Sequence, residues 1–153
     1  GTVPVQQPDG TIKLAAIDAT CHGQQIRYES GPERDNIGFW LNPEEWVSWD
    51  FKVTKPGAFA VTAQVATVEK SAFTVILGDQ TIRVSAPATG NYGKFTTVPV
   101  GTLAIGAAGS RARSAMLRAA QPRFTRIQGM PSAIATGVTT WNPATPSTSR
   151  LSM

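Results

Sequence analysis

The stretch Glu45–Val53 reads EWVSWDFKV. Val47, Trp49, Phe51 and Val53 take one side of an extended strand, and Trp46, Ser48, Asp50 and Lys52 take the other. Side chains alternate faces along a strand, so this pattern predicts one buried side and one wet side. Lys55-Pro56-Gly57 follows as a turn, because Pro presets φ and Gly tolerates positive φ. Beyond it, Phe59, Val61, Ala63 and Val65 alternate with Ala60, Thr62, Gln64 and Ala66, which predicts a second half-buried strand.

The same rhythm runs outward in both directions. Thr11–Ala16, Gln25–Glu29 and Ile37–Leu41 read as short strands before it. Ala72–Leu77, Thr81–Ser85, Phe95–Val100 and Leu103–Ile105 read as strands after it, with Gly78-Asp79-Gln80 and Gly90–Gly93 as turns or loops. About eight short strands separated by turn signals, with no amphipathic helix, predict an all-β chain folded as an antiparallel β-sandwich. Residues 1–10, with two prolines and Asp9-Gly10, read as a linker, and 11–108 as the sandwich.

Composition agrees. The 153 residues suggest one domain, and a chain 41% hydrophobic and 16% charged, with 14 Gly and 11 Pro, is neither a coiled coil nor a helical bundle. No apolar run approaches the roughly 18 residues of a spanning helix, so no membrane partner is expected. One Cys and one His rule out a disulfide framework and a His/Cys zinc cluster. The chain starts at Gly1 without a basic-then-apolar leader, so a secretion signal is expected to be absent or already removed.

The net charge of +4 resolves into two unlike parts. Residues 1–105 hold 8 Lys and Arg against all 10 acids, a net of −2, whereas residues 106–153 hold 6 Arg and no acid. The basic character therefore belongs to the tail, and the sandwich gives no electrostatic reason to expect nucleic acid. Ala112–Ala120 reads as a short helix or one more strand; beyond Gln128 the composition reads as disordered. An arginine-rich arm for polyanions is one reading of 109–153. An unselected tail, as from a shifted reading frame, is the one favoured here.

Catalytic signatures are weak. Cys21 and His22 are adjacent, so on a strand they face opposite ways and form no nucleophile–base pair. No GxSxG elbow and no phosphate-cradling Gly-rich loop is present. Glu44 with Glu45, and Glu33 with Asp35, read as solvated loop acids rather than a hydrolytic dyad. Binding is better supported, because Tyr28, Phe39, Trp40, Trp46, Trp49 and Phe51 crowd one part of the chain and Tyr92 sits in G-N-Y-G. Trp40 and Trp46 take the opposite parity from their apolar neighbours and are expected to be at least partly exposed or at a sheet edge; Phe39 is expected inward. An exposed ring beside Asn and Asp suits a sugar, since its face covers the C–H groups while polar neighbours hold the hydroxyls. One ring burying ~100 Å² contributes about 2.5 kcal/mol, and a millimolar site needs about 4, so further contacts are required.

Several segments together resemble a known group of modules. They are D-A-T-C-H-G at 18–23, D-N-I-G-F-W at 35–40, E-W-V-S-W-D-F at 45–51, K-P-G-A-F at 55–59, A-T-G-N-Y-G-K-F at 88–95 and G-T-L at 101–103. Their order and spacing resemble the carbohydrate-binding modules of families 6 and 35, and more closely the non-catalytic C-terminal domain of some bacterial α-L-fucosidases and sulfatases. The resemblance implies a jelly-roll, galactose-binding-like sandwich with a glycan cleft at its loop end. It implies cleft aromatics at Tyr92 and at Phe39 or Trp40, with Asp35, Asn36 and Trp46 as further candidates. It further implies a secreted or periplasmic, non-catalytic role: holding glycan near the catalytic domain of a larger enzyme. No cofactor is expected, with calcium as the one alternative. The alternatives are a purely structural accessory domain and a small hydrolase using Glu44, Glu45 or Asp35. The family's calcium site keeps one carboxylate here, Asp18, where a hard cation wants six or more oxygens. Nothing after Ala108 resembles the family's closing strand, whose loss would leave its neighbour with an open edge.

Overall fold

The computed structural model describes residues 1–105, 113–120, 135–136, 139–145 and 148–152. In chain order the strands are β1 (Ile12–Leu14), β2 (Thr20–His22), β3 (Arg27–Gly31), β4 (Arg34–Gly38), β5 (Trp46–Val53), β6 (Gly57–Ala66), β7 (Ser71–Leu77), β8 (Gln80–Ala86), β9 (Thr96–Ile105), β10 (Arg113–Ala120), β11 (Ala135–Thr136), β12 (Thr139–Thr145) and β13 (Thr148–Ser152). Among the described residues the one helical element is a 3-10 turn at Ala16–Asp18. The strands form two sheets. One runs β2-β5-β10-β7-β8; the other runs β1-β12-β13-β6-β11-β4-β3, with β9 also paired to β6. The chain is a β-sandwich.

The decisive stretch folds as its alternation predicts. Val47, Phe51 and Val53 are 0% exposed and Trp49 is 1% exposed, and they pack in one core with Phe59, Val61, Ala63 and Val65 of β6. The opposite side of β5 is wet only at Asp50 and Lys52. Ser48 is buried and lies 2.8 Å from His22 Nε2 on the paired strand β2, and Trp46 is half-buried against the same imidazole. β7 and β8 join through the two-residue loop Gly78-Asp79, where Gly78 takes φ 59°, as a tight hairpin requires. The two segments expected at 95–100 and 103–105 are one strand, β9. Its register against β6 shifts between Val61 and Thr62, so a bulge stands where the sequence suggests a break.

Trp40 is a correction. Continued alternation would put Phe39 inside and Trp40 outside, yet Trp40 is 0% exposed and Phe39 is 39% exposed. The reason is backbone geometry. β4 ends at Gly38, and Phe39 adopts φ 56°, alone among the described non-glycine residues in having positive φ. That one left-handed residue reverses the facing: the phenyl ring turns out and the indole turns in. Trp40 then donates its Nε1–H to Glu45 O at 2.7 Å, which satisfies the ring's polar atom inside the core.

The expected linker is also corrected. Val5 forms a parallel bridge with Lys52, flanked by Gln6 N–H to Lys52 O and Lys52 N–H to Pro4 O, both 2.9 Å. The segment covers the edge of β5 that the short β2 leaves open. Gln6 is buried, and its Oε1 accepts from Thr54 N–H (2.9 Å) and Lys55 N–H (2.7 Å) while its Nε2 donates to Gly10 O (3.0 Å) and Lys55 O (3.2 Å). One side chain thus ties the N-terminus to the β5–β6 turn.

The tail does contribute to the sandwich. Residues 113–120, open between helix and strand in the sequence, form β10, which pairs antiparallel with β5 on one side and β7 on the other. The open edge expected beside a missing closing strand is therefore filled by β10. β11, β12 and β13 pair within the other sheet, contrary to a wholly disordered end; the remainder of the stretch expected to be disordered lies outside the described residues.

Gln6 is buried while Thr54 and Lys55 are exposed, so Gln6→Ala removes four hydrogen bonds whose backbone partners can turn to water, and it is expected to lower stability by about 1–2 kcal/mol. Urea unfolding monitored by tryptophan fluorescence measures this; a change below about 0.5 kcal/mol would restore the view of residues 1–10 as a passive linker.

Candidate functional site

A cleft of about 750 Å³ opens where the β3–β4 turn, the β6–β7 loop and the β8–β9 loop meet. Glu33, Arg34 and Asn36 come from the β3–β4 hairpin, Val68 from the β6–β7 loop, and Asn91, Tyr92, Lys94 and Phe95 from the β8–β9 loop. Tyr92 and Phe95 are half-buried, whereas Arg34, Val68, Asn91 and Lys94 are exposed. The floor therefore combines aromatic surface with amide, guanidinium and ammonium donors.

The loop that carries Tyr92 is tied down from below. Thr67, fully buried, accepts at its carbonyl from Thr89 N–H (2.8 Å) and Gly90 N–H (3.2 Å) and returns its own N–H to Thr89 Oγ1 (3.2 Å). Asn91 Oδ1 accepts Gly93 N–H at 2.6 Å, an Asx turn that sets the backbone on either side of the ring. Gly90, at φ 79°, supplies the left-handed conformation that starts the turn. On the facing wall Glu29 uses both oxygens: Oε1 accepts from Arg34 Nη1 (2.9 Å) and Oε2 from Asn36 Nδ2 (3.0 Å).

Of the residues proposed from sequence, Tyr92 and Asn36 line this cleft. Trp40 does not, being enclosed in the core, so the expected exposed platform there is withdrawn. Asp35 points to the other side of β4, where Tyr28 donates its hydroxyl to Oδ1 at 2.6 Å; that bond favours the neutral phenol and raises its pKa. Phe39 lies beyond the far end of β4 beneath the Arg27 guanidinium, 3.7 Å from its ring centroid. Trp46 stacks on His22 with centroids 3.5 Å apart, on the outer side of the five-stranded sheet. Arg34, Asn91, Lys94 and Phe95 were missed. Only the proximity of Asn91, Lys94 and Phe95 to Tyr92 in the sequence could have suggested them.

Asp18 closes the 3-10 turn that precedes β2. Its Oδ1 accepts Thr2 N–H at 2.7 Å and Thr2 Oγ1 at 3.2 Å, and no group of three or more His, Cys, Asp or Glu stands together among the described residues.

Residues 22–111 match the model of a family described as domain of unknown function (DUF5077). No curated protein matches the chain. Among solved structures, a GH26-CBM35 β-(1,4)-mannanase from Podospora anserina aligns with TM-score 0.67 at 14% identity, over 90% of this chain and 28% of that one. The chain thus spans about 28% of the mannanase's length. The C-terminal CBM6 of a marine laminarinase from Zobellia galactanivorans gives 0.62 at 20% identity, over 85% of this chain and 98% of that one. CsCBM6-3 from Clostridium stercorarium, solved in complex with cellobiose, gives 0.58 at 17% identity, over 90% and 95%. At these identities the likeness is one of fold: the chain has the β-sandwich of carbohydrate-binding modules.

Of the acids that the sequence offers as pairs, Glu33 lines the cleft, whereas Asp35, Glu44 and Glu45 do not. Glu45 is buried, and Gly23 leaves the room its carboxylate fills, since a Cβ there would collide with Glu45 Cγ and Cδ. Burial works to raise its pKa. The N–H groups of Gln25 (3.0 Å), Gln24 (2.8 Å) and Ile26 (3.0 Å) outweigh that and hold the carboxyl below its ordinary value. Glu45 is a loop anchor, not an acid poised to give a proton. Because its folded pKa is depressed, it contributes stability that is present above the unfolded value and is lost as pH falls through the folded one. Glu45→Gln is expected to cost about 2–3 kcal/mol at pH 7 and to flatten the fall in stability as pH drops below the ordinary carboxylate range. Denaturation at several pH values tests this; equal pH slopes for variant and parent would show that the carboxylate is not the titrating group.

Proposed function

We propose that this chain, which belongs to the DUF5077 family, is a non-catalytic carbohydrate-binding module that holds glycan beside an attached or neighbouring glycoside hydrolase or sulfatase. The observation that carries the reading is the loop-end cleft, where the Tyr92 ring stands among Arg34, Asn36, Asn91 and Lys94 on a sandwich of carbohydrate-binding-module fold. A half-buried ring on a tied-down loop offers a sugar a flat apolar face at little ordering cost, and the surrounding amides and cations supply donors for hydroxyls. Attachment to a catalytic domain would raise the local concentration of substrate without adding chemistry. The mannanase that shares this fold carries its module together with a GH26 unit, which supports such an arrangement. An α-L-fucosidase or sulfatase partner, and an extracytoplasmic location, rest on the sequence resemblance and complete the proposal.

On this reading Tyr92→Ala lowers affinity for retained glycans roughly ten- to seventyfold, the worth of ~60–100 Å² of ring contact, with the melting temperature unchanged. A glycan array followed by titration calorimetry on parent and variant provides the comparison. Undiminished retention by a folded Tyr92→Ala protein would remove the cleft as the site. Absence of any retained glycan on the parent chain would point to a structural accessory domain instead.

A further inference from the structure

The outer side of the β3–β4 hairpin extends the cleft lengthwise. Arg27 and Glu29 are two residues apart on β3 and share one face; Arg34 and Asn36 share one face of β4. The Glu29 carboxylate bonds both Arg34 and Asn36, and Glu29 pairs with Asn36 across the ladder, so all four side chains stand on the same side. The other side is inward: Ile37 is fully buried, and Tyr28, its ladder partner, packs on the core. Gly38 carries no side chain, and the Glu29 carboxylate lies over it so closely that a Cβ there would collide with Oε2.

Phe39 completes the row. By simple alternation its ring would belong to the inward side. The left-handed backbone at φ 56° brings it out beneath the Arg27 guanidinium, 3.7 Å from centroid to Cζ, with 39% of the residue still exposed. A bulky residue in that region costs of order 1–3 kcal/mol, and here the result is an aromatic ring held at the surface. Arg34, at the mouth of the cleft, and Phe39 are separated by five residues of extended chain, about 16 Å. The array along that distance is Tyr92, Arg34, Glu29, Arg27, Phe39: an aromatic ring at each end, with donors and an acceptor between.

We propose that Phe39 and Arg27 form a second subsite, so that the ligand is an extended oligosaccharide bound along its length from the Tyr92 cleft to Phe39, rather than a single sugar or a chain end. This rests on the glycan-binding reading of the Tyr92 cleft. A monosaccharide or disaccharide reaches the cleft alone, whereas a longer chain reaches both rings, and the second contact is then intramolecular.

The test is affinity against chain length. Calorimetry would compare the disaccharide and hexasaccharide of β-1,4-mannan, cellulose and β-1,3-glucan on the intact chain. The hexasaccharide of the preferred series is expected to bind at least tenfold tighter than its disaccharide, the gain of one further ring contact. Phe39→Asn suits the left-handed backbone and removes the ring; it is expected to bring that ratio close to one, as is Phe39→Ala. Thermal melting of both variants confirms that they are folded. Equal affinity for both lengths on the parent protein, or a length gain that survives in Phe39→Asn, overturns the second subsite while leaving the Tyr92 cleft standing. Failure of every oligosaccharide to bind overturns both.

Discussion

One apolar face organises this molecule. Val47, Trp49, Phe51 and Val53 project from β5 into the space shared with Phe59, Val61, Ala63 and Val65 of β6, and full burial of each large side chain contributes about 1.5–3 kcal/mol. The indoles do more than fill volume. Trp49 donates Nε1–H to Ala15 O at 2.8 Å and so pins the turn that leads to β2, while Trp40 pins the backbone at Glu45, where β5 begins. A strand this apolar would be a liability with open edges. Both edges are covered, by β2 and the Pro4–Gln6 segment on one side and by β10 on the other.

The cleft depends on that frame but is built from polar groups. Thr67 and Thr89 lock two loops together, Asn91 shapes the turn under Tyr92, and Glu29 holds Arg34 and Asn36. Three carboxylates have structural partners: Glu29 orients side chains, Asp35 takes the Tyr28 hydroxyl, and Glu45 gathers three backbone N–H groups. This accounts for acids that look like hydrolytic candidates in one dimension and behave as anchors in three. A sandwich supports many activities, so the argument for glycan rests on the aromatic and donor groups of the loop end and not on the architecture.

Much of the fold was legible in the residues. The two-residue period of β5 and β6 set which side chains go inside, and Gly78-Asp79 marked its hairpin, because alternation and turn preference are local properties of the backbone. The candidate site was legible only in part. Tyr92 could be singled out as an aromatic ring in a glycine-flanked loop, and Asn36 as an amide near other rings. Arg34, which faces Tyr92 from another hairpin, carried no mark of its own.

What the chain of letters determined by itself, then, was the alternation of β5 and β6 and the β-sandwich class that follows from it. The tertiary structure alone decided three things: the exchange of Phe39 and Trp40, the capture of the N-terminus by Gln6, and the meeting of three loops around Tyr92. Phe39 is neither Gly nor Asn, so no residue preference announces its left-handed backbone; the core's demand for the Trp40 indole imposes it. Gln6 finds its partners 48 and 49 positions away, and the cleft walls come from segments as far apart in sequence as Arg34 and Tyr92. Contacts of that range depend on how strands pair, and pairing is settled only when two sheets close over a common core.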